Sequence, residues 1–352
     1  MVRVWRIRGA AGLLLVATVL LVATPAALSN TTRSLIGVGY YVDFDPNSWT
    51  AVRTEGQRLN WVITTNYVLS DTTGRLAGSH DGRIVSLARS RGSRVHFQVA
   101  NLVDEAYNRD LAHAVLTSPA ASIRAIASIL QVMRDYAYDG VVLDLQNLAP
   151  ADRKAFTEFV GDLAAQLHGR GRPLSVVVPA RAASPSRTDV DAYDLTALGR
   201  AADWLILRAY DDQRTAGPVG PLAPLPWVEA AIKYAVARVP VSKVLLGISL
   251  LGYDWPQQGT GESVSMREAL GRARRGGAEI MWDDLAQTPY FTLFGRTVYF
   301  ENARSVERKL SLAARYRLAG AAFWRLGCET PDLWSTASAY LRPQERTVSS
   351  TR

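Results

Sequence analysis

Short apolar runs bounded by turn residues alternate along this chain with longer stretches in which apolar residues recur at three- and four-residue steps. The runs predict eight strands: Leu35 to Val42, Trp61 to Tyr67, Val95 to Asn101, Gly140 to Gln146, Leu174 to Pro179, Trp204 to Tyr210, Val244 to Leu250 and Gly320 to Leu326. The clearest helical stretches are Ser118 to Tyr136, Ala149 to Leu167, Pro226 to Val239 and Ala303 to Tyr316. Near-continuous apolar strands alternating with amphipathic helices predict a parallel sheet covered by helices. Eight such units predict the α/β class and a closed (β/α)8 TIM barrel. An open doubly wound sheet competes, but Gly37-Val38-Gly39-Tyr40-Tyr41 lacks the third glycine of a dinucleotide fingerprint.

The rhythm breaks once. Residues 251–303 are about twice as long as the other intervals and hold a helix-like stretch, Ser265 to Arg274, and a strand-like one, Arg296 to Phe300. They predict a small α+β insertion between strand 7 and helix 7. Barrel insertions sit at the carboxyl ends of strands, where sites are built. The predicted organisation is therefore a leader over 1–29, a barrel over 30–342 and a disordered tail over 343–352.

The leader is expected from Arg3, Arg6 and Arg8, the apolar run from Ala10 to about Ala23, and the small residues of Pro25-Ala26-Ala27-Leu28-Ser29. Cleavage would give a secreted or cell-surface domain with no stable membrane insertion; retention would leave a membrane anchor. Losing three arginines and no acids takes the formal charge from +8 to +5. Scattered surface arginines account for so mild a balance, and no basic run with interleaved aromatics argues for nucleic acid. Cys328 is the one cysteine, so folding proceeds without an internal disulfide. His80, His96, His113 and His168 show no ligand-like spacing, so no metal and no cofactor are expected. Trp204, Trp227 and Trp282 read as core or insertion residues. A monomer is expected.

The candidate chemistry lies in Asp139-Gly-Val-Val-Leu-Asp-Leu-Gln146, which sets polar groups on an apolar strand. Alternation puts Val142, Asp144 and Gln146 on one face, with Asp144 and Gln146 about 6 to 7 Å apart along the chain, a layout suited to two groups gripping one ligand. Asp139 and Gly140 at the strand's entry read as structural.

This octapeptide resembles the Asp-Gly-x-Asp-x-Asp-x-Glu signature of glycoside hydrolase family 18, and above all its spore-cortex and peptidoglycan-type members. Further resemblance lies in Asp152-Arg153, in Arg208-Ala209-Tyr210-Asp211, in Gly247 to Trp255, in Val298 to Ser305 and in Ala322 to Gly327. Arg208 replaces the family's Met. The resemblance implies substrate-assisted cleavage of an N-acetylglucosamine linkage, the sugar's acetamide oxygen attacking its own anomeric carbon. Asp144 would hold the acetamide N–H, Tyr210 would hydrogen-bond the acetamide, Asp211 would bind hydroxyls, and Trp324 would be the stacking floor. Tyr40, Asn101 and Glu301 complete the candidate substrate-binding set.

Gln146 stands at the position of the general acid, and an amide has no usable proton to donate. Val142 is apolar where the family often has Asp or Asn. Glu301, Asp212, Asp104 and Glu105 are the alternative acids. The expectation is recognition of an N-acetylglucosamine-containing polysaccharide, peptidoglycan or chitin-like, with crippled hydrolysis. The rivals are a working glycosidase with a substitute acid and a protein-binding scaffold.

Overall fold

The computed structural model describes residues 34–181, 189–210 and 218–343. The expected leader, most of the expected tail, Asp211 and Asp212 lie outside the described residues. Eight parallel strands form the barrel: β1 (Ile36–Tyr41), β2 (Trp61–Leu69), β3 (Arg94–Ala100), β4 (Gly140–Asp144), β5 (Leu174–Pro179), β6 (Trp204–Arg208), β7 (Val244–Ser249) and β8 (Gly320–Trp324). Each pairs with the next, and β8 closes on β1 through Ile36 opposite Gly320. The (β/α)8 expectation holds, with strand bounds within two residues of those read from the apolar runs.

Alternation sorts the strand side chains into two cores. Val38, Ile63, Val142, Val177, Ile206, Leu245 and Ala322 fill the barrel's inside. The opposite parity, including Val62, Phe97, Val141, Leu143, Val176 and Leu207, packs outward against the helices. Local signals place the helix starts. The Ser118 hydroxyl accepts from Ala121 N at 3.4 Å to start helix Pro119–Tyr136. The stretch expected as one helix from Ala149 is a 3-10 turn, Pro150–Asp152, followed by helix Arg153–His168, because the Asp152 carboxylate turns back to accept from Ala149 N at 3.2 Å.

Residues 251–302 carry a five-stranded antiparallel sheet, ordered Glu262–Ser265, Leu251–Trp255, Arg296–Tyr299, Thr288–Leu293 and Met281–Asp283, with helix Met266–Gly276. Val264, Ala269, Ala273, Phe291, Val298 and Phe300 give the insertion its own small core. Trp255 Nε1 donates to Gly220 O at 2.8 Å, tying the insertion to the segment that follows β6.

Candidate functional site

A cavity of about 220 Å³ opens at the carboxyl ends of the strands, lined by Tyr40, Tyr107, Asp144, Val177, Arg208, Tyr210, Leu222, Ser249, Leu251, Tyr253, Ser263 and Trp324. Barrel strands deliver Tyr40, Asp144, Arg208, Ser249 and Trp324, while Leu251, Tyr253 and Ser263 come from the insertion. Gly247 on β7 makes room, since a Cβ there would meet Leu207 O at 2.7 Å and the Tyr210 ring at 3.2 Å. Trp324 is half-buried and meets the Tyr40 ring edge-on, centroids 5.2 Å apart; its peptide bond to Arg325 is cis.

Asp144 ends β4, and its carboxylate is buried in a cradle of three donors. Gln98 Nε2 donates to Oδ2 at 2.9 Å, the Tyr107 hydroxyl to the same oxygen at 2.8 Å, and Gln146 Nε2 to Oδ1 at 2.9 Å. Burial lifts the Asp144 pKa above its ordinary value, while the Arg208 charge and the bonds from Tyr107 and Gln146 pull it down. The lift wins in direction, yet three donors converging on two oxygens match an acceptor carboxylate. Burial pushes the Tyr40 and Tyr107 phenols well above their usual range, with Tyr210 and Asp144 adding to the shift on Tyr40 and Asp144 to that on Tyr107. Both stay protonated and able to donate.

Gln146 does not line the cavity. Its amide nitrogen donates to Asp144 Oδ1 and, at 3.1 Å, to Val177 O, so both of its hydrogens meet protein acceptors. The two groups placed two residues apart therefore grip each other. Asn101 fixes this bend: its Oδ1 accepts from Gln146 N at 2.9 Å, and its Nδ2 donates to Gln146 O at 3.0 Å and Asn108 O at 2.8 Å. Its amide is thus spent on backbone, away from the cavity wall, where it positions Gln146.

Glu301 also lies off the cavity wall. It is buried in an ion pair with Lys309, whose Nζ lies 2.7 Å from both carboxylate oxygens, and it accepts from the Ser305 hydroxyl at 2.6 Å. Both carboxylate oxygens are thus held by groups of the protein. Asp104 and Glu105 form the exposed turn of a hairpin, Leu102–Val103 with Ala106–Tyr107, and do not line the cavity. At the other end of β4, Asp139 Oδ2 accepts from Val95 N at 2.9 Å and lies 3.4 Å from Arg89. Gly140 leaves space for the His96 ring, which a Cβ would meet at 2.7 Å.

Three contributors were not singled out from the sequence as site residues. Gln98 had a signal, since His96 and Gln98 are polar at a period of two within an apolar strand. Tyr107 had none, because its pairing with Asp144 spans 37 positions. Arg208 had been noted as a departure from the family motif. Among the described residues, no group of three or more His, Cys, Asp or Glu side chains is placed to hold a metal ion. Cys328 is buried, which pushes its thiol up to about 12.

Comparison with known proteins bears on this geometry. The profile of the glycosyl hydrolases family 18 matches residues 91–329. The cortical fragment-lytic enzyme of Bacillus subtilis (strain 168) is 28% identical over 260 residues, covering 71% of this chain and 60% of that protein. The chain spans about 60% of the length of the curated relatives it first matches. A chitinase from Chromobacterium violaceum superposes with a TM-score of 0.81 at 31% identity, over 88% of this chain and all of the other. A double mutant of a chitinase from Cycas revoluta, one of whose changes is Glu to Gln, was solved in complex with (GlcNAc)4; it superposes with a TM-score of 0.73 at 20% identity, over 87% of this chain and 99% of the other.

Proposed function

Because the chain belongs to the glycosyl hydrolases family 18, we propose that it is an exported, monomeric barrel that recognises an N-acetylglucosamine unit of a peptidoglycan or chitin-like glycan and cleaves it little or not at all. Asp144 takes the acetamide N–H, Tyr210 and Tyr40 approach the sugar's polar edge, and Trp324 offers the apolar face on which the ring lies. Hydrolysis is crippled at Gln146. The observation that carries this reading is the amide itself, with both N–H groups committed to Asp144 and Val177 O. A leaving sugar oxygen needs a proton, and this group has none to give.

No other side chain takes up that role among the described residues. Among the described residues Asp144 is the one carboxylate on the cavity wall, and in this reading it holds the acetamide. Glu301 is locked to Lys309, and Asp104 and Glu105 lie away from the cavity. Loss of a positioned acid costs about 10²- to 10⁴-fold in rate.

Calorimetry with chito-oligosaccharides and reducing-end release, run on the native chain and on Gln146→Glu, tests the reading. Binding without turnover is expected for the native chain. Gln146→Glu is expected to gain about 10²-fold or more in release rate. In the cradle a glutamate oxygen would face Asp144 and the Val177 carbonyl, both acceptors, so the new carboxyl is held protonated to higher pH, as an acid requires. Native turnover equal to that of Gln146→Glu sinks the idea.

A further inference from the structure

Arg208 ends β6, and its side chain is part of the cavity wall. Its guanidinium carbon lies 5.7 Å from the Tyr107 ring centre and 6.0 Å from that of Tyr210, distances at which aromatic faces attract a cation. Among the described residues, two that line the cavity carry charge, Asp144 and Arg208. Asp144 is buried beneath three donors, so most of its bonding capacity is met inside the protein. Arg208 is partly buried and also draws down the Asp144 pKa, which places its positive charge at the same end of the cavity.

A methionine here would give the site an apolar wall. A guanidinium gives it a planar fork of donors that matches a carboxylate, with hydrogen bonds stronger than those between neutral groups. We propose that Arg208 is a specificity determinant that selects a carboxylate-bearing ligand, so the cavity prefers an acidic N-acetylated glycan, one whose amino sugars carry a carboxylate ether, over its neutral counterpart. This rests on the amino-sugar reading above and decides between its two glycan types.

The test titrates the full chain with two disaccharides that differ in one group: di-N-acetylchitobiose, and N-acetylglucosamine linked β-1,4 to N-acetylmuramic acid, which adds a lactyl carboxylate. The methyl ester of the second keeps its shape and removes its charge. The native chain is expected to bind the acid about 10-fold or more tightly than chitobiose, the scale of a hydrogen-bonded charge pair. That ratio should shrink for the ester and in ~0.5 M salt, where charge attraction is screened. Arg208→Met should bring the ratio to about one, and Arg208→Lys should keep part of it.

A ratio near one in the native chain overturns the proposal, as does a ratio that survives Arg208→Met. The latter includes equal weakening of both ligands, which would mean that Arg208 acts through Asp144. In these cases chitobiose binding leaves the amino-sugar reading standing. Failure of the native chain to bind either disaccharide overturns both.

Discussion

The two ends of this barrel are built from the same strands and treat polar groups in opposite ways. At the mouth, β3 and β4 supply Gln98 and Asp144, and every oxygen of the Asp144 carboxylate has a donor. At the floor, the same strands supply His96 and Gly140. The His96 ring is buried, stacked on Trp61 at 4.9 Å, and neither ring nitrogen has a hydrogen-bond partner among the described residues. Burial holds its pKa down to about 4, so it is neutral and packs as an aromatic plate. A barrel keeps its chemistry at the carboxyl ends and its stability at the other. Here the Asp144 carboxylate is satisfied by hydrogen bonds and the His96 ring by shape.

Acid should therefore strike the floor hardest. An unfolded histidine titrates near 6.5 and His96 in the fold near 4, so the unfolded state binds the extra proton first. Stability from this residue is whole above pH 6.5 and drains as pH falls towards 4, by about 3 kcal/mol in all. Urea unfolding of the native chain and of His96→Leu across that range isolates the effect, since the variant should show a shallower decline. Equal slopes would mean that His96 is not kept neutral.

Gly140→Ala is the next largest. A methyl 2.7 Å from the His96 ring has nowhere to go in a filled barrel, and overpacking of this kind costs about 1 to 3 kcal/mol. A lowered Tm with glycan affinity retained is expected by scanning calorimetry and titration. At the mouth, Tyr107→Phe removes one of three donors to Asp144 and should cost about 1 kcal/mol or less in stability. Its larger mark falls on binding: the Asp144 pKa rises further, and affinity for N-acetylated sugar weakens several-fold at acidic pH first. If Tyr107→Phe lowers Tm as much as Gly140→Ala, the division between the two ends fails.

The strands were legible because each is a mostly apolar run between turn residues, and Leu174–Pro179 and its neighbours tolerate little else when both faces are buried. The place of Asp144 was legible from the octapeptide. What that pattern did not carry was the destination of each polar atom. Gln146 shares a face with Asp144, as alternation requires, but alternation does not say that its amide bends back onto its neighbour. Glu301 was expected at the ligand because its position just past a strand suggested a ligand-facing loop. The spacing Glu301, Ser305, Lys309, in steps of four running into helix Ala303–Arg315, is that of a helical ion pair and carried the better signal. Tyr107 arrives on a two-residue hairpin whose turn residues, Asp104 and Glu105, take positive φ. Neither is glycine or asparagine, so the turn did not announce itself.

The strand Leu251–Trp255 hydrogen-bonds within the insertion's sheet, lends Leu251 and Tyr253 to the cavity, and clasps the segment after β6 through the Trp255 indole. One side of the binding hollow is thus borrowed from a part that the barrel does not need in order to close. Lineages can recut that side by trading a single stretch of about fifty residues, leaving the eight staves and the Asp144 cradle as inherited.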